Sequence, residues 1–405
     1  MATRSARRER TRRRLHTLTG AGAVAAVLGG AMAGTAYAAS ATVGCAGPGG
    51  GAAGLRAAIT HSNNTPGADT IDLAAGCTYV LTNEANPGNG LPVVTGTLVI
   101  HGHGATVRRS SESAFRILEV ATGADLTLDQ ITVSGGSISS SGGPTAFGGG
   151  ILNSGRLTVV DSTISDNAVS GTGSSAGGGG IANNGTVSLH ATVLRNNTAT
   201  ATGSGLQIFA AVGGAVLNRT GATMTIDDSS VVANSAISTG SSQLFFIASA
   251  GGIGNSGTLT VNRTDVNGNR AVADGANGRA GGGGISIADG VVTIADSTIA
   301  GNAATARGAG AEAHGGGVEN NGQTKLTDTE VKGNLATGPV AQGGGLYNGR
   351  RLILIRSRVV ANVAAGTSGS GQGGGIFTDA GHVTLKATLV SANQPDDCQP
   401  VIAGC

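Results

Sequence analysis

An eleven-residue block that occurs eight times constrains the fold of this chain more than any other feature. The copies align without a gap and are separated by stretches of variable length. They read LTVVDSTISDN (157–167), VSLHATVLRNN (187–197), MTIDDSSVVAN (224–234), LTVNRTDVNGN (259–269), VTIADSTIAGN (292–302), TKLTDTEVKGN (324–334), LILIRSRVVAN (352–362) and VTLKATLVSAN (383–393). Before each block an apolar residue follows a run of small residues, mostly glycine. A block that recurs many times along a chain indicates a repeated structural unit.

The columns of the block have the pattern of a half-buried β-strand. Positions 1, 3 and 8 are apolar in every copy apart from Thr324, and the alternation at positions 1 and 3 has the period of a strand rather than a helix. Position 6 is always serine or threonine. Position 11 is always asparagine: Asn167, Asn197, Asn234, Asn269, Asn302, Asn334, Asn362 and Asn393. Because an amide at a turn tolerates left-handed backbone and bonds neighbouring groups, we expect these asparagines to stack in a structural ladder.

The spacing between the copies predicts a solenoid. Consecutive position-11 asparagines lie 28 to 37 residues apart, while the block itself never changes length, so all insertions fall at one edge. Each repeat would form one coil of three short strands, and successive coils would pair in parallel about 4.8 Å apart. Two degenerate copies precede the first block, so we expect about ten coils and a rod roughly 50 Å long.

The glycine-led repeats resemble those of a known family. The pattern GGGILN…ISDN is similar to the GGA[IL]…FxxN repeats of polymorphic outer-membrane proteins, with Ile, Leu or Val in place of Phe. The stretch GLRAAITHSNNTPGADTI (54–71) resembles the LREAI-type leader of secreted bacterial β-helices. These resemblances imply an all-β fold, a single-stranded right-handed parallel β-helix. They are specific for architecture and do not fix an activity.

Both ends of the predicted rod carry features that would close it. Residues 52–63 predict a short amphipathic capping helix with Leu55 and Ile59 on one face. The four cysteines predict two local disulfides, Cys45–Cys77 and Cys398–Cys405. The predicted organisation is a signal peptide (1–38), an N-terminal leader and cap (39–95), a parallel β-helix (96–393) and a C-terminal disulfide cap (394–405).

The first 38 residues have the pattern of a signal peptide: a basic segment, a weakly apolar segment and AYA at 36–38. Both the general and the twin-arginine export routes fit, and either predicts a secreted protein that is extracellular or associated with the cell wall. The remaining chain keeps 18 basic and 22 acidic residues. This charge balance predicts no nucleic-acid partner, and after signal removal no membrane span is predicted.

The charged residues of the block predict surface ion pairs. Asp296 and Asp328 would lie on adjacent coils, close enough to share a proton or a cation. Arg356 would neutralise Asp328, however, and Arg358 would pair with Glu330 across the same coil boundary. The sequence therefore predicts no catalytic residue, no metal and no cofactor.

Two histidines raise a separate question. His101 and His103 lie in a Gly-His-Gly context that polygalacturonases also contain, but the Asn-Thr-Asp and Arg-Ile-Lys motifs of those enzymes are absent. We therefore interpret the two histidines as a surface pair.

Two insertions on successive coils carry large apolar side chains. Leu206, Phe209, Leu244, Phe245 and Phe246 occupy matching places there. They could form a local extra sheet that packs on itself, or an exposed patch that binds a partner. Since the chain has no Trp and three Tyr, it offers few rings on which a sugar could stack.

These observations predict a secreted, non-enzymatic surface or adhesion-type protein. It would be a monomer that presents loops on one edge to an extracellular protein or polysaccharide that the sequence does not identify. The alternative is a polysaccharide lyase or glycoside hydrolase of the β-helix class. A groove that gathers carboxylates together with Arg or Lys would favour the enzyme.

Overall fold

The computed structural model describes residues 39–204, 207–241 and 245–405. The predicted signal peptide, 1–38, lies outside the described residues. The described residues form an all-β parallel β-solenoid of about eleven turns with a single helix, which confirms the predicted fold class. Successive coils pair in parallel and in register, as between Arg156–Val160 and Thr186–His190.

The repeat blocks and five strands that precede them build the first sheet, which has 21 strands among the described residues. Each block forms two strands that meet at a bend, because position 5 has left-handed backbone, as at Asp161 with φ 47°. The strands are Ser40–Val43, Ala68–Leu73, Thr78–Leu81, Thr97–Arg109, Asp125–Ser134, Arg156–Val160, Thr163–Ser165, Thr186–His190, Val193–Arg195, Thr223–Asp227, Ser230–Val232, Thr258–Asn262, Asp265–Asn267, Val291–Ala295, Thr298–Ala300, Gln323–Thr327, Glu330–Lys332, Arg351–Ile355, Arg358–Val360, His382–Lys386 and Leu389–Ser391.

The serine or threonine at position 6 fastens this bend. Ser229 Oγ donates to the carbonyl of Asp227 at 2.7 Å and accepts from the backbone N–H of Thr192, one coil away, at 3.1 Å. The hydroxyl therefore satisfies backbone groups that the bend takes out of the strand ladder.

The segments after each block build the second sheet, which has 14 strands in two rows. Longer strands join the rows near the C-terminal end. The strands are Ser137–Ser141, Ala146–Phe147, Ala168–Thr172, Ala176–Gly177, Thr198–Gly203, Phe209–Val212, Ser235–Gly240, Phe246–Ser249, Arg270–Asp274, Arg279–Gly281, Ala303–Arg307, Glu312–His314, Leu335–Gln342 and Val363–Gln372. Two small buried clusters, one of them composed only of alanines, fill the narrow space inside this sheet.

The apolar residues that follow the glycine runs begin eight of the ten strands of the third sheet among the described residues. The ten strands are Leu118–Val120, Ile151–Asn153, Ile181–Asn183, Val216–Asn218, Ile253–Asn255, Ile285–Ile287, Val318–Asn320, Leu346–Asn348, Ile376–Thr378 and Cys398–Gln399. The glycines before them allow a tight corner: Gly148 has φ 67°, and a Cβ on Gly149 would overlap the carbonyl of Ala168. The main hydrophobic core runs along the rod and contains Val, Leu and Ile from the first and third sheets.

The helix spans Gly51–Asn64, and its Leu55 and Ile59 are fully buried in the core. Both predicted disulfides, Cys45–Cys77 and Cys398–Cys405, are present. Among the described residues, no helix is both long enough and apolar enough to span a membrane.

A turn with left-handed backbone precedes each ladder asparagine. The ladder asparagines do not adopt left-handed backbone; the residue before them does, as at Asp166 with φ 58° and Ala233 with φ 55°. Position 11 is asparagine in every copy because its side chain bonds neighbouring coils. Position 10, which has the left-handed backbone, can be Asp, Asn, Ala or Gly.

Candidate functional site

The eight position-11 asparagines form one buried column. Asn234 donates from its backbone N–H and from Nδ2 to Oδ1 of Asn269, at 3.0 and 2.9 Å, and Nδ2 also donates to the carbonyl of Leu194 at 3.0 Å. The same bonds link Asn167, Asn197, Asn234, Asn269, Asn302, Asn334, Asn362 and Asn393 in order. Asp397 Oδ1 ends the column by accepting from Asn393 at 2.8 Å. Because these amides are buried, they hold coils together and do not face a ligand.

A second amide column escaped the sequence analysis. Nδ2 donates to Oδ1 of the next coil from Asn153 to Asn183, Asn218 and Asn255 over 2.7–2.8 Å. Ile287 interrupts the column, which continues from Asn320 to Asn348 at 2.7 Å. Its signal in the sequence is an asparagine two residues after the apolar residue that follows a glycine run, present in six of the eight repeats and replaced by Ile287 and Thr378 in the other two. Amide–amide hydrogen bonds between neighbouring coils therefore stabilise the third sheet as well as the corner after each block.

The predicted ion pairs lie on the outside of the first sheet. Arg356 Nη2 lies 2.5 Å from Asp328 Oδ2, and Arg358 Nε lies 3.5 Å from Glu330 Oε1. The hydrogen bond from the Arg356 guanidinium lowers the pKa of the Asp328 carboxyl. Asp328 is thus held by an arginine rather than shared with Asp296, and exposed pairs of this kind add little stability.

One exposed group combines a histidine with two carboxylates. His190, Asp227 and Asp228 place ligand-type atoms within 4.8 Å of one another, the one such group among the described residues. Arg263 Nη2 lies 2.5 Å from Asp227 Oδ1, and Arg263 Nε lies 2.7 Å from Asp228 Oδ1. Its hydrogen bond lowers the pKa of the Asp228 carboxyl. The guanidinium therefore occupies the carboxylates that a cation would need.

The two predicted surface histidines each pair with a carboxylate of a neighbouring coil. His101 Nδ1 lies 2.9 Å from Asp129 Oδ2, and His103 Nε2 lies 3.2 Å from Asp72 Oδ1. Their rings are 6.1 Å apart between centroids. Each ring is thus directed to its own aspartate.

The phenylalanine insertions divide into buried and exposed residues. Phe209 and Phe246 are 2% and 0% exposed, and their rings stack at 6.0 Å inside the second sheet. Phe245 is 49% exposed. Leu206 and Leu244 lie outside the described residues. Buried rings are unavailable to a partner, so Phe245 is the described member of the predicted patch that a partner could contact.

A cavity of about 420 Å³ opens beside Phe245. Ile247, Arg279 and Glu312 line it together with Phe245 and small residues of two neighbouring turns. Ile208, in the matching insertion one coil earlier, is 54% exposed. We call Phe245, Ile208 and this cavity the phenylalanine edge. It combines exposed apolar side chains with the charged side chains of Arg279 and Glu312.

A buried ionic cluster lies in the corner between the second and third sheets, and the sequence analysis missed it. The side chain of Glu319 is 4% exposed; its Oε1 lies 2.7 Å from Arg279 Nη2, and its Oε2 accepts from Ser286 Oγ at 3.0 Å. Its carboxylate occupies the space that a Cβ on Gly281 would fill. The negative charge is thus buried against one arginine and one hydroxyl.

Two further ionisable side chains extend this ionic cluster. The ring of His314, 5% exposed, stacks on Tyr347 at 4.3 Å, and Tyr347 in turn stacks on Phe377. Neither ring nitrogen of His314 has a hydrogen-bond partner. Burial lowers the pKa of His314 and raises the pKa of Tyr347 to about 12. Both side chains are therefore neutral at pH 7.

The sequence contains a weak signal for this cluster. The middle residues of the third-sheet strands form one column along the rod: Glu119, Leu152, Ala182, Leu217, Gly254, Ser286, Glu319, Tyr347 and Phe377. Glu319 is the one carboxylate of this column between Leu152 and Phe377, and it marks the site. Arg279 and His314 come from other strands, so no local motif announces them.

Comparison with known proteins finds a solved structure that is similar to this chain. No family model matches the sequence, and no curated protein matches it. Among solved structures, the mannuronan C-5 epimerase AlgE6 A-module of Azotobacter vinelandii is similar, at 14% identity and a TM-score of 0.37, covering 87% of this chain and all of that one. None of these comparisons shows polymorphic outer-membrane repeats or the LREAI-type leader, so those resemblances stay predictions.

Proposed function

We propose that this protein is a secreted, non-enzymatic β-solenoid that binds an extracellular partner at the phenylalanine edge. The single observation that carries the proposal is the exposure of Phe245 beside a cavity on a rod whose other large rings are mostly buried. Exposed aromatic side chains next to a cavity are typical anchors of binding surfaces. The two disulfides support an extracellular location.

The state of the charged groups supports binding over catalysis. The carboxylates of Asp228 and Asp328 are bound by arginines, which lowers their pKa and makes them poor proton acceptors. Glu319 and His314 are closed off from solvent by their own neighbours. A general base must reach the proton that it removes, and these buried groups do not contact solvent.

The test measures saturable binding of the labelled full chain to purified bacterial cell walls, intact or stripped of protein by protease. Phe245→Ser is expected to weaken binding by about tenfold or more, since a central aromatic anchor contributes about 2 kcal/mol. Val291→Ser is the matched control, because Val291 is 50% exposed on the first sheet. Equal binding by wild type and Phe245→Ser rules out the proposed edge.

A second candidate function is a polysaccharide lyase or glycoside hydrolase, favoured by the ionic cluster around Glu319. It gathers a carboxylate, an arginine, a histidine and a tyrosine in one corner of the rod, and perturbed ionisable groups cluster at catalytic sites. Its test follows reducing ends and unsaturated products from uronic-acid polymers, with and without Ca²⁺. Tyr347→Phe should abolish any turnover and Phe377→Leu should retain it; no turnover by the wild type rejects this candidate.

A further inference from the structure

A second cavity lies in the same corner between the second and third sheets, closer to the N-terminal end than the ionic cluster. Its volume is about 470 Å³, within the range of small-molecule sites. Four hydroxyl side chains line it: Thr220, Ser249, Ser256 and Ser286. Val212, Leu217 and Ala288 give it an apolar wall. We call it the hydroxyl cavity; none of its lining residues belongs to the phenylalanine edge.

Gly254 leaves room for this cavity. It occupies the column of middle residues in the third sheet between Leu217 and Ser286, where a larger side chain would project into the space. A Cβ on Gly254 would lie 2.9 Å from Val212 Cγ1, so even a methyl group would displace the wall. The cavity thus follows from one missing side chain in an otherwise filled column.

Arg219 supplies the charge of the hydroxyl cavity. Its guanidinium lies over the ring of Phe147 at 4.4 Å, and Nη1 donates to Asn184 Oδ1 at 2.7 Å. No acidic side chain lines the cavity, and no ion pair among the described residues involves Arg219. The ring of Phe147 and the side chain of Asn184 therefore orient the guanidinium of Arg219. A planar guanidinium can donate two parallel hydrogen bonds to a carboxylate.

Ser286 sets a second requirement. Its Oγ donates to Glu319 Oε2 at 3.0 Å, so towards the cavity this oxygen can only accept a hydrogen bond. Because Arg279 already neutralises Glu319, the cavity keeps the positive charge of Arg219. A ligand must therefore offer an anionic group and at least one hydroxyl donor.

From these features we infer that the hydroxyl cavity binds a sugar acid. The carboxylate would meet Arg219, ring hydroxyls would bond the serines and the threonine, and the C–H face of the ring would lie on Val212 and Leu217. The acid could be a free monosaccharide or the end unit of an acidic polysaccharide, since both present the same chemistry to this cavity.

The experiment titrates the full chain with D-galacturonate, trigalacturonate, D-glucose and acetate in ligand-observed NMR. Galacturonate is expected to bind with a dissociation constant of about 1 mM, as small ligands of this size do. Glucose lacks the carboxylate and acetate lacks the hydroxyls, so both should bind about tenfold more weakly or worse. Trigalacturonate binding much tighter than the monomer identifies the polymer end as the ligand; equal binding identifies the free acid.

Variants distinguish binding at the hydroxyl cavity from nonspecific attraction of an anion to positive charges on the protein surface. Arg219→Gln should weaken galacturonate binding by about tenfold or more, and Arg219→Lys should restore part of it because the charge remains while the planar guanidinium is lost. Arg195→Gln is the control, since Arg195 is an exposed arginine on the first sheet. Phe245→Ser should leave galacturonate binding unchanged, which separates this inference from the proposed function. No saturable binding, equal affinity for glucose, or an unchanged Arg219→Gln variant overturns it.

Discussion

Asn234 and Asn269 lie 35 residues apart in sequence, yet Oδ1 of Asn269 accepts two hydrogen bonds from Asn234, at 2.9 and 3.0 Å. Asn269 also donates from Nδ2 to the carbonyl of Val231 at 2.9 Å and to Oδ1 of Asn302 at 3.0 Å. One buried side chain therefore satisfies groups on both neighbouring coils. Residues at the same position in neighbouring coils are 28 to 37 residues apart in the chain, so hydrogen bonds between side chains, rather than the chain itself, hold these coils in register.

Replacing Asn269 by alanine should lower the free energy of unfolding by about 3 kcal/mol. The substitution leaves the buried backbone N–H of Asn234 without its partner, which costs about 1–3 kcal/mol. It also removes the hydrogen bond that Asn269 Nδ2 donates to the carbonyl of Val231, worth about 0.5–1.5 kcal/mol. Urea unfolding followed by circular dichroism measures the effect, since the chain has no tryptophan.

The matched control for this prediction is Asn267→Ala. Asn267 lies two residues earlier, but it is exposed on the first sheet. Its loss should change the free energy of unfolding by less than about 0.5 kcal/mol. If both variants unfold at the same urea concentration, the asparagine column does not stabilise the coils.

The sequence predicted the parts of this fold that repeat within a few residues. Strand alternation and the position of the asparagine belong to a block of constant length, so the register between coils follows from the sequence alone. The capping helix was predictable for the same local reason, since Leu55 and Ile59 share one helical face.

Features that join separate coils could not be predicted in this way. Arg279 and Glu319 are 40 residues apart, and the insertions between blocks vary in length, so their side chains have no common register in the sequence. Phe246 and Phe245 are adjacent, yet one is buried and the other exposed. That difference depends on where a strand begins after an insertion, which the block does not determine.

The two disulfides should contribute unequally. Cys45–Cys77 closes a separation of 32 residues and Cys398–Cys405 one of 7 residues. In the loop-entropy model these correspond to about 4 and about 2 kcal/mol. Cys45→Ser with Cys77→Ser should therefore lower the thermal midpoint more than Cys398→Ser with Cys405→Ser. The reverse order in a thermal melt contradicts the loop-entropy account for this chain.

Gly281 and Glu319 should show energetic coupling. A Cβ on Gly281 would overlap Glu319 Oε2, so Gly281→Ala is expected to cost about 2 kcal/mol through overpacking. In a Glu319→Ala background the space is empty, and the same substitution should cost less than about 1 kcal/mol. A double-mutant cycle in urea measures the difference.

Gly254→Ala serves as the control for this cycle. Its added Cβ would press on Val212 rather than on Glu319. Its cost should therefore be the same in the wild-type and Glu319→Ala backgrounds. Equal costs for Gly281→Ala in the two backgrounds would show that Glu319 does not occupy the space seen here.

His314 gives the protein an acid-sensitive corner. Glu312, Glu319, Arg279 and Asp379 are the charged groups that act on its ring, and the largest influence on its pKa is burial, which lowers it from 6.5. Asp228 and Asp328 titrate in a different range, because arginine hydrogen bonds lower their pKa below 3.8. Their pairs are lost only as the pH falls below 3.8.

Stability should therefore decline as the pH falls below 6.5, through His314. In that range the unfolded chain binds a proton at this histidine while the folded chain does not, so unfolding is favoured down to the lowered pKa of the folded state. The loss is at most about 1.4 kcal/mol for each pH unit below 6.5, down to the lowered pKa of His314. His314→Phe keeps the stack on Tyr347 and removes the proton-binding group, so its urea midpoint should depend less on pH in this range. Substituting the exposed His382 by glutamine should leave the dependence unchanged, and a His314→Phe variant as acid-sensitive as the wild type would locate the titrating group elsewhere.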